Sequence, residues 1–148
     1  SYPNVRFDTT QMSSLPPLYI DKDQLNRAFM NIFANSVDAV KKRKKPKIGV
    51  ATFYIKDFNL VRIEVYDNGS GIPKELRKKV FEPYFSTKKE GTGLGLAMVQ
   101  QIISEHEGYI RMVSNKPYGV RVIIELPLKK SKIIDSVSSK PRRSDNAK

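Results

Sequence analysis

Residues 60–66 alternate, with Val61, Ile63 and Val65 set against Arg62, Glu64 and Tyr66. That is the two-residue period of a strand with one buried face. Carried one step further, the period places Asp67 on the apolar face. A carboxylate loses its water there, so it needs a hydrogen-bond donor. Asp67-Asn68-Gly69 also has the composition of a tight hairpin turn. The chain continues, however, through Ser70-Gly71-Ile72 into Pro73-Lys74-Glu75-Leu76-Arg77-Lys78-Lys79-Val80, a helical composition with proline in its first turn. No returning strand follows, which rejects the hairpin. On the other side, residues 47–56 read as the partner strand, turned by Asp57-Phe58-Asn59.

Upstream, Asp21 stands as the N-cap of a helix, and Gln24 three residues on completes a capping-box pattern. The helix is expected to run to about Lys44, ahead of Pro46. Leu25, Ala28, Phe29, Ile32, Phe33, Val37 and Val40 recur at three- and four-residue spacing and form its buried stripe. Asn31, Asn35 and Asp38 line up on a second face. These residues are mediocre helix formers and together cost about 1–2 kcal/mol relative to alanine. Something is expected to repay that cost, since the alternative, a merely solvated face, is better made from Lys, Glu or Gln. Before this helix, Asn4-Val5-Arg6-Phe7-Asp8 reads as a short strand and Leu18-Tyr19-Ile20 as another.

Downstream, Phe81-Glu82-Pro83-Tyr84-Phe85-Ser86-Thr87-Lys88-Lys89-Glu90 lacks periodicity and reads as a mobile loop pinned by Phe81 and Phe85. It ends in Gly91-Thr92-Gly93-Leu94-Gly95-Leu96. The glycines at alternate positions let a ligand approach the backbone, and the helix that follows offers its first N–H groups to an anion. Leu96, Val99, Ile102 and Ile103 face inward on that helix, and Gly108 is the expected C-terminal cap. Residues 109–114 and 120–126 are two more strands, joined by Asn115-Lys116-Pro117-Tyr118-Gly119.

The 148-residue chain has no cysteine, which excludes disulfides and thiolate metal sites. It shows no membrane-length apolar run and no signal-peptide layout, so a cytoplasmic domain is expected. Its formal charge of +12 raises the possibility of nucleic-acid binding. The excess is concentrated in Lys41, Lys42, Arg43, Lys44, Lys45 and Lys47, at the expected end of a helix whose dipole they complement, and in the tail from Lys129. That distribution favours no specific nucleic-acid surface.

Taken together, the polar helix stripe, the buried Asp with Gly-x-Gly, the loop and the glycine-rich helix start resemble a known ATP-binding fold. It is shared by DNA gyrase, the heat-shock chaperone ATPase, MutL-type mismatch-repair proteins and bacterial sensor histidine kinases. The likeness is greatest to the catalytic and ATP-binding domain of histidine kinases of the nitrogen-regulation type with a short lid, over residues 5–128. It implies an α+β fold: a two-layer α/β sandwich whose mixed sheet is covered on one face by helices. The domain is expected at 1–128, followed by a basic, disordered tail at 129–148.

The resemblance also implies ATP and Mg²⁺ as cofactors and assigns roles by position. Asn31-Ile32-Phe33-Ala34-Asn35-Ser36-Val37-Asp38-Ala39 matches the asparagine box, in which Asn35 holds Mg²⁺ between the phosphates. Asp67-Asn68-Gly69-Ser70-Gly71 matches the first glycine box, where the carboxylate accepts from the adenine amino group and Gly69 and Gly71 let the backbone pass close to the base. Phe81-Glu82-Pro83-Tyr84-Phe85 matches the phenylalanine box, and residues 91–95 match the second glycine box. Ile72, Phe85, Thr87, Gly91, Thr92, Gly93, Leu94, Gly95 and Leu96 complete the implied nucleotide contacts. Lys88 is either a further phosphate contact or a solvated lysine.

Hydrolysing relatives carry a glutamate base four residues before the metal-binding asparagine. Here that residue is Asn31, which cannot take a proton, so Asn31 and Asn35 point to phosphoryl transfer rather than hydrolysis. Asp38-Ala39 departs from the family's lysine or histidine followed by tyrosine, and Asp38 is left to hold a metal-bound water. Val120 stands where the family often has threonine. The implied partners are the protein's own dimerisation and phosphoacceptor helices, absent from this sequence, and a response regulator. The isolated domain is expected to be a monomer and its parent a homodimer, with membrane anchoring of the parent left open. His106 is expected to be a helix-terminal residue. A serine kinase or ATPase of the same superfamily and a basic nucleic-acid-binding module are the alternatives.

Overall fold

The computed structural model describes residues 5–10, 14–88 and 91–128. Asp21 caps the 19-residue helix α1 (Lys22–Val40), its Oδ1 accepting from Gln24 N at 3.1 Å. The backbone N–H of Asp21 is taken by His106 Nε2 at 2.9 Å rather than by Gln24. The second half of the expected capping box therefore comes from another helix. Five strands form one mixed sheet in the spatial order β1 (Arg6–Thr10), β2 (Lys47–Ile55), β3 (Leu60–Asp67), β5 (Val120–Pro127) and β4 (Tyr109–Ser114). β1 runs parallel to β2 and every other pairing is antiparallel. α1 makes the crossover that a parallel neighbour requires.

α1 and the second helix, α2 (Gly95–Glu105), pack on one face of this sheet. The core between the layers holds Ile32 of α1, Val99 and Ile103 of α2, and Ile48, Val65, Ile124 and Leu126 of the strands. Each fully buried aliphatic side chain contributes roughly 1.5–3 kcal/mol of transfer free energy. The opposite face is tiled with ion pairs: Arg121 with Glu64 at 2.7 Å, and Arg62 and Arg111 with Glu125. The two-layer α/β sandwich with a mixed sheet covered on one face is thus the observed architecture.

Four local expectations differ from the structure. α1 ends at Val40, its last core residue, and the chain turns through Lys41 and Lys42 to reach β2 at Lys47. Pro46 forbids helix only nearby, so it did not mark this earlier end. Leu18, Tyr19 and Ile20 form no strand: Leu18 packs against the core while Tyr19 and Ile20 are exposed. Residues 73–80 form two short 3-10 turns, Lys74–Leu76 and Lys79–Phe81, because the segment has too few apolar residues to support a longer helix. At the end of α2 the left-handed residue is Glu107, with φ 59°, not Gly108. Gly108 is needed for room instead, since a Cβ there would lie 2.6 Å from the Glu125 carbonyl oxygen. Residues 129–148 lie outside the described residues.

Candidate functional site

Between α1, the end of β3 and the start of α2 lies a cavity of about 850 Å³. Its size suits a nucleotide-sized ligand. The structure brings Asn31, Asn35, Asp38, Asp67, Gly71, Ile72, Phe85, Thr87, Lys88, Gly91, Thr92, Gly93, Gly95 and Leu96 to its walls. Gly69 and Leu94 are not among the lining residues. Gly69 lies against α1, where a Cβ would be 2.6 Å from the Ala39 carbonyl oxygen, so its lack of a side chain serves the strand-to-helix approach. Leu94 precedes α2 and is 43% exposed.

At the deep end, Asp67 is only 4% exposed. Its Oδ1 accepts from Gly69 N at 2.8 Å and from Val120 N at 3.3 Å, and the Ser36 hydroxyl donates to the same carboxylate. Burial nevertheless outweighs these bonds and raises the carboxyl above its ordinary value of 3.8. Its place in the cavity wall lets a ligand offer the carboxylate a further donor. Gly119, at φ 101°, brings the β5 backbone against Asp67, and any side chain there would strike the Asp67 carbonyl.

At the other end, α2 starts without a side-chain cap, and Gly95 and Leu96 open onto the cavity. The first N–H groups of that helix are left for an anion. Gly95 packs on Asn31, whose Oδ1 would be 2.5 Å from a Cβ at that position. Asn35 Oδ1 accepts from Lys88 Nζ at 3.1 Å, and the same ammonium pairs with Asp38 Oδ2 at 2.7 Å. Lys41 Nζ lies 3.4 Å from Asp38 Oδ1. The hydrogen bond from Lys88, with Lys41 adding to it, holds the Asp38 carboxyl below its ordinary value.

The donor set fits Mg²⁺ in one respect that the structure itself displays: Asn35 Oδ1 already faces a cation, the Lys88 ammonium. Among the described residues there is no cluster of three His, Cys, Asp or Glu side chains able to hold a metal. Asn35 would hold a magnesium ion through one amide oxygen, and the ion would supply positive charge beside the phosphates, with phosphate and water as the other oxygens it commonly takes.

Several lining residues went unread in the sequence. Ser36 is buried at 5% exposure between Ile32 and Val40, a polar residue on the apolar stripe facing the one polar residue on the apolar face of β3. That shared anomaly was the available signal. Arg43 donates to the Gly69 carbonyl at 2.9 Å and lies 4.9 Å from the Tyr118 ring centroid, clasping the rim. Lys41 and Lys42 line the same rim, and Val80, Met112 and Val122 give the cavity apolar walls.

His106 lies outside this cavity. The Ile102 carbonyl, 2.7 Å from Nδ1, can only accept, which assigns the proton to Nδ1 and leaves Nε2 to accept from Asp21 N. Both ring nitrogens are engaged in joining helix ends, in keeping with a helix-terminal role.

A buried carboxylate and an uncapped helix start at opposite ends of one cavity define a nucleotide-binding domain of two-layer α/β type. The chain belongs to the histidine kinase-, DNA gyrase B- and HSP90-like ATPase family, whose description matches residues 20–130. It is 40% identical over 116 residues to the signal transduction histidine-protein kinase AtoS of Escherichia coli (strain K12), covering 78% of this chain and 19% of AtoS. It is also 40% identical over 126 residues to the sensory histidine kinase/phosphatase NtrB of Rhodobacter capsulatus, covering 78% of this chain and 35% of NtrB. The nucleotide-free catalytic domain of histidine kinase ThkA has a TM-score of 0.75 and 30% identity, covering 86% of this chain and 82% of that one. The mycobacterial sensor histidine kinase MprB gives 0.73 and 30%, over 85% of this chain and 83% of its own. The chain thus spans between a fifth and about a third of those two curated relatives.

Proposed function

We propose that this chain is the catalytic domain of a sensor histidine kinase, binding Mg-ATP and passing the γ-phosphoryl group to a histidine on a separate helical domain. The observation that carries the reading is the cavity with Asp67 at one end and Asn35 beside the α2 N-terminus at the other. Asp67 accepts from the adenine amino group, which relieves its buried charge. The first N–H groups of α2 bind the phosphates, with Lys88 as a further contact. Asn35 supplies one oxygen to Mg²⁺, which neutralises phosphate charge when bound. The segment from Ile72 to Thr92 closes as a lid and excludes water. Catalysis rests on positioning and charge neutralisation.

Two features favour transfer over hydrolysis. Asn31 stands four residues before Asn35, where an amide cannot deprotonate water. His106, the only histidine, has both ring nitrogens engaged away from the cavity, so the acceptor belongs to another segment. The reading extends to a homodimeric parent, cytoplasmic placement of this domain, and a response regulator as downstream partner. A structural relative, ThkA, is described in complex with the response regulator TrrA, at 28% identity and a TM-score of 0.71, covering 85% of this chain and 35% of that one.

The test combines this chain with separately expressed acceptor helices of its parent and γ-labelled ATP. Label that is acid-labile and base-stable on the acceptor is the expected result. Rapid phosphate release by the chain alone, with no labelled acceptor, overturns it in favour of an ATPase. Acid-stable label on serine overturns it in favour of a serine kinase.

A further inference from the structure

The Lys88 ammonium stands between two oxygen donors of α1, at 3.1 Å from Asn35 Oδ1 and 2.7 Å from Asp38 Oδ2. It arrives from a segment more than fifty residues away in sequence and crosses the cavity wall to reach them. One positive charge here satisfies the amide oxygen and the carboxylate together. We propose that Lys88 fills the seat of the divalent cation in the nucleotide-free domain and stands in for that cation when a nucleotide binds without metal. The proposal deepens the Mg-ATP reading of the same site and rests on it.

The physical argument concerns charge and exchange. A nucleotide's phosphates entering beside the α2 N-terminus need a positive group between them and Asn35, whose oxygen has no proton to donate. Mg²⁺ supplies that group when present. In its absence, Lys88 is already there, and its three donors can bridge Asn35, Asp38 and a phosphate oxygen at once. The Lys88 and Asp38 side chains are 45% and 41% exposed, and so open an ion pair holds weakly. A metal can therefore displace the ammonium from Asn35 onto the phosphates. Asp38 keeps Lys41 as its counter-ion after that exchange, so no carboxylate is left bare beside the phosphates. Asp38 then acts as a positioning residue for two ammonium groups.

Calorimetric titration of ADP into the parent chain, in excess EDTA and in excess Mg²⁺, tests this against Lys88→Met and Lys88→Arg. The parent is expected to bind ADP in EDTA, with Mg²⁺ tightening it only modestly. In Lys88→Met, binding in EDTA is expected to fall about tenfold more than binding in Mg²⁺, equivalent to 1.4 kcal/mol. Lys88→Arg is expected to keep much of the metal-free binding. Equal losses in EDTA and Mg²⁺ overturn the proposal, because a lysine that is only a general phosphate contact weakens both alike. Unchanged affinities in both conditions also overturn it. A parent that binds no ADP even in Mg²⁺ overturns the nucleotide site itself, a separate failure from a metal ratio that does not move.

Discussion

Asp67→Asn separates what Asp67 does for the fold from what it does for a ligand. Gly69 N and Val120 N both donate to Oδ1, and an asparagine side-chain oxygen can keep both bonds. The amide nitrogen must then take the other position, where it meets an adenine amino group as donor against donor. A hydrogen bond to a charged acceptor is worth roughly 1.5–3 kcal/mol, and an unpaired donor adds to its loss. The expected weakening of Mg-ATP binding is therefore about 3 kcal/mol, or roughly 100-fold. Stability should move the other way. Because burial raises the folded-state pKa of Asp67, its ionised form destabilises the fold at neutral pH. That penalty fades as pH falls through the raised value, and it is gone below the ordinary 3.8. The variant should thus melt at or above the parent at pH 7, with the difference shrinking on acidification. Calorimetric titration and thermal unfolding across pH measure both effects. A dissociation constant within threefold of the parent would refute the adenine contact, and a lower melting temperature at pH 7 would refute the burial argument.

Asn35→Ala should weaken Mg-ATP binding about tenfold, the scale of one polar contact to a charge, while adenosine binding changes little. Comparative titrations of the two ligands check this. Gly93 has φ 71°, and a Cβ there would collide with the Tyr84 backbone. Gly93→Ala should accordingly reduce phosphoryl transfer and ATP affinity more than adenosine affinity, and equal losses for ATP and adenosine would show that the strain spreads beyond the phosphate side. His106→Ala should lower stability by about 1 kcal/mol, the usual scale of a lost helix cap, in urea unfolding. Its nucleotide affinity should match the parent's, and a selective loss of affinity would contradict its structural role.

The sequence displayed the features that repeat or that break a repeat. Alternation in residues 60–66 located both the strand and the misplaced carboxylate, and the helical stripes located Asn31, Asn35 and Asp38 on one cavity wall. It was silent where contacts between distant segments decide. Nothing local to Asp21 announces that His106 takes its N–H, or that Arg43 reaches the carbonyl of Gly69. α1 ends earlier than its lysines suggest for a related reason: a run of lysines is a good helix former, but the chain turns after Val40 to enter β2 at Lys47. Glycine was legible as a residue but not in its reason: Gly69 and Gly108 make room for neighbouring backbone that the sequence does not show.

The two helices touch along matching positions in opposite chain directions: Asp21 with His106, Arg27 with Met98 at 3.4 Å, and Asn31 with Gly95. Pinned in this way along their shared length, they act as a clamp that fixes where β3 leaves off and where α2 begins. The chain between Ile72 and Leu94 is then a bridge between these two points, fastened once along its length where Val80 and Phe81 are buried. Lengthening such a bridge is cheap in entropy, about 0.6 kcal/mol for each doubling. Insertions that leave Val80, Phe81 and the Tyr84–Gly93 backbone contact in place therefore need no retuning of the sheet or the helices, which leaves the length of the exposed remainder free to vary while the scaffold beneath stays the same.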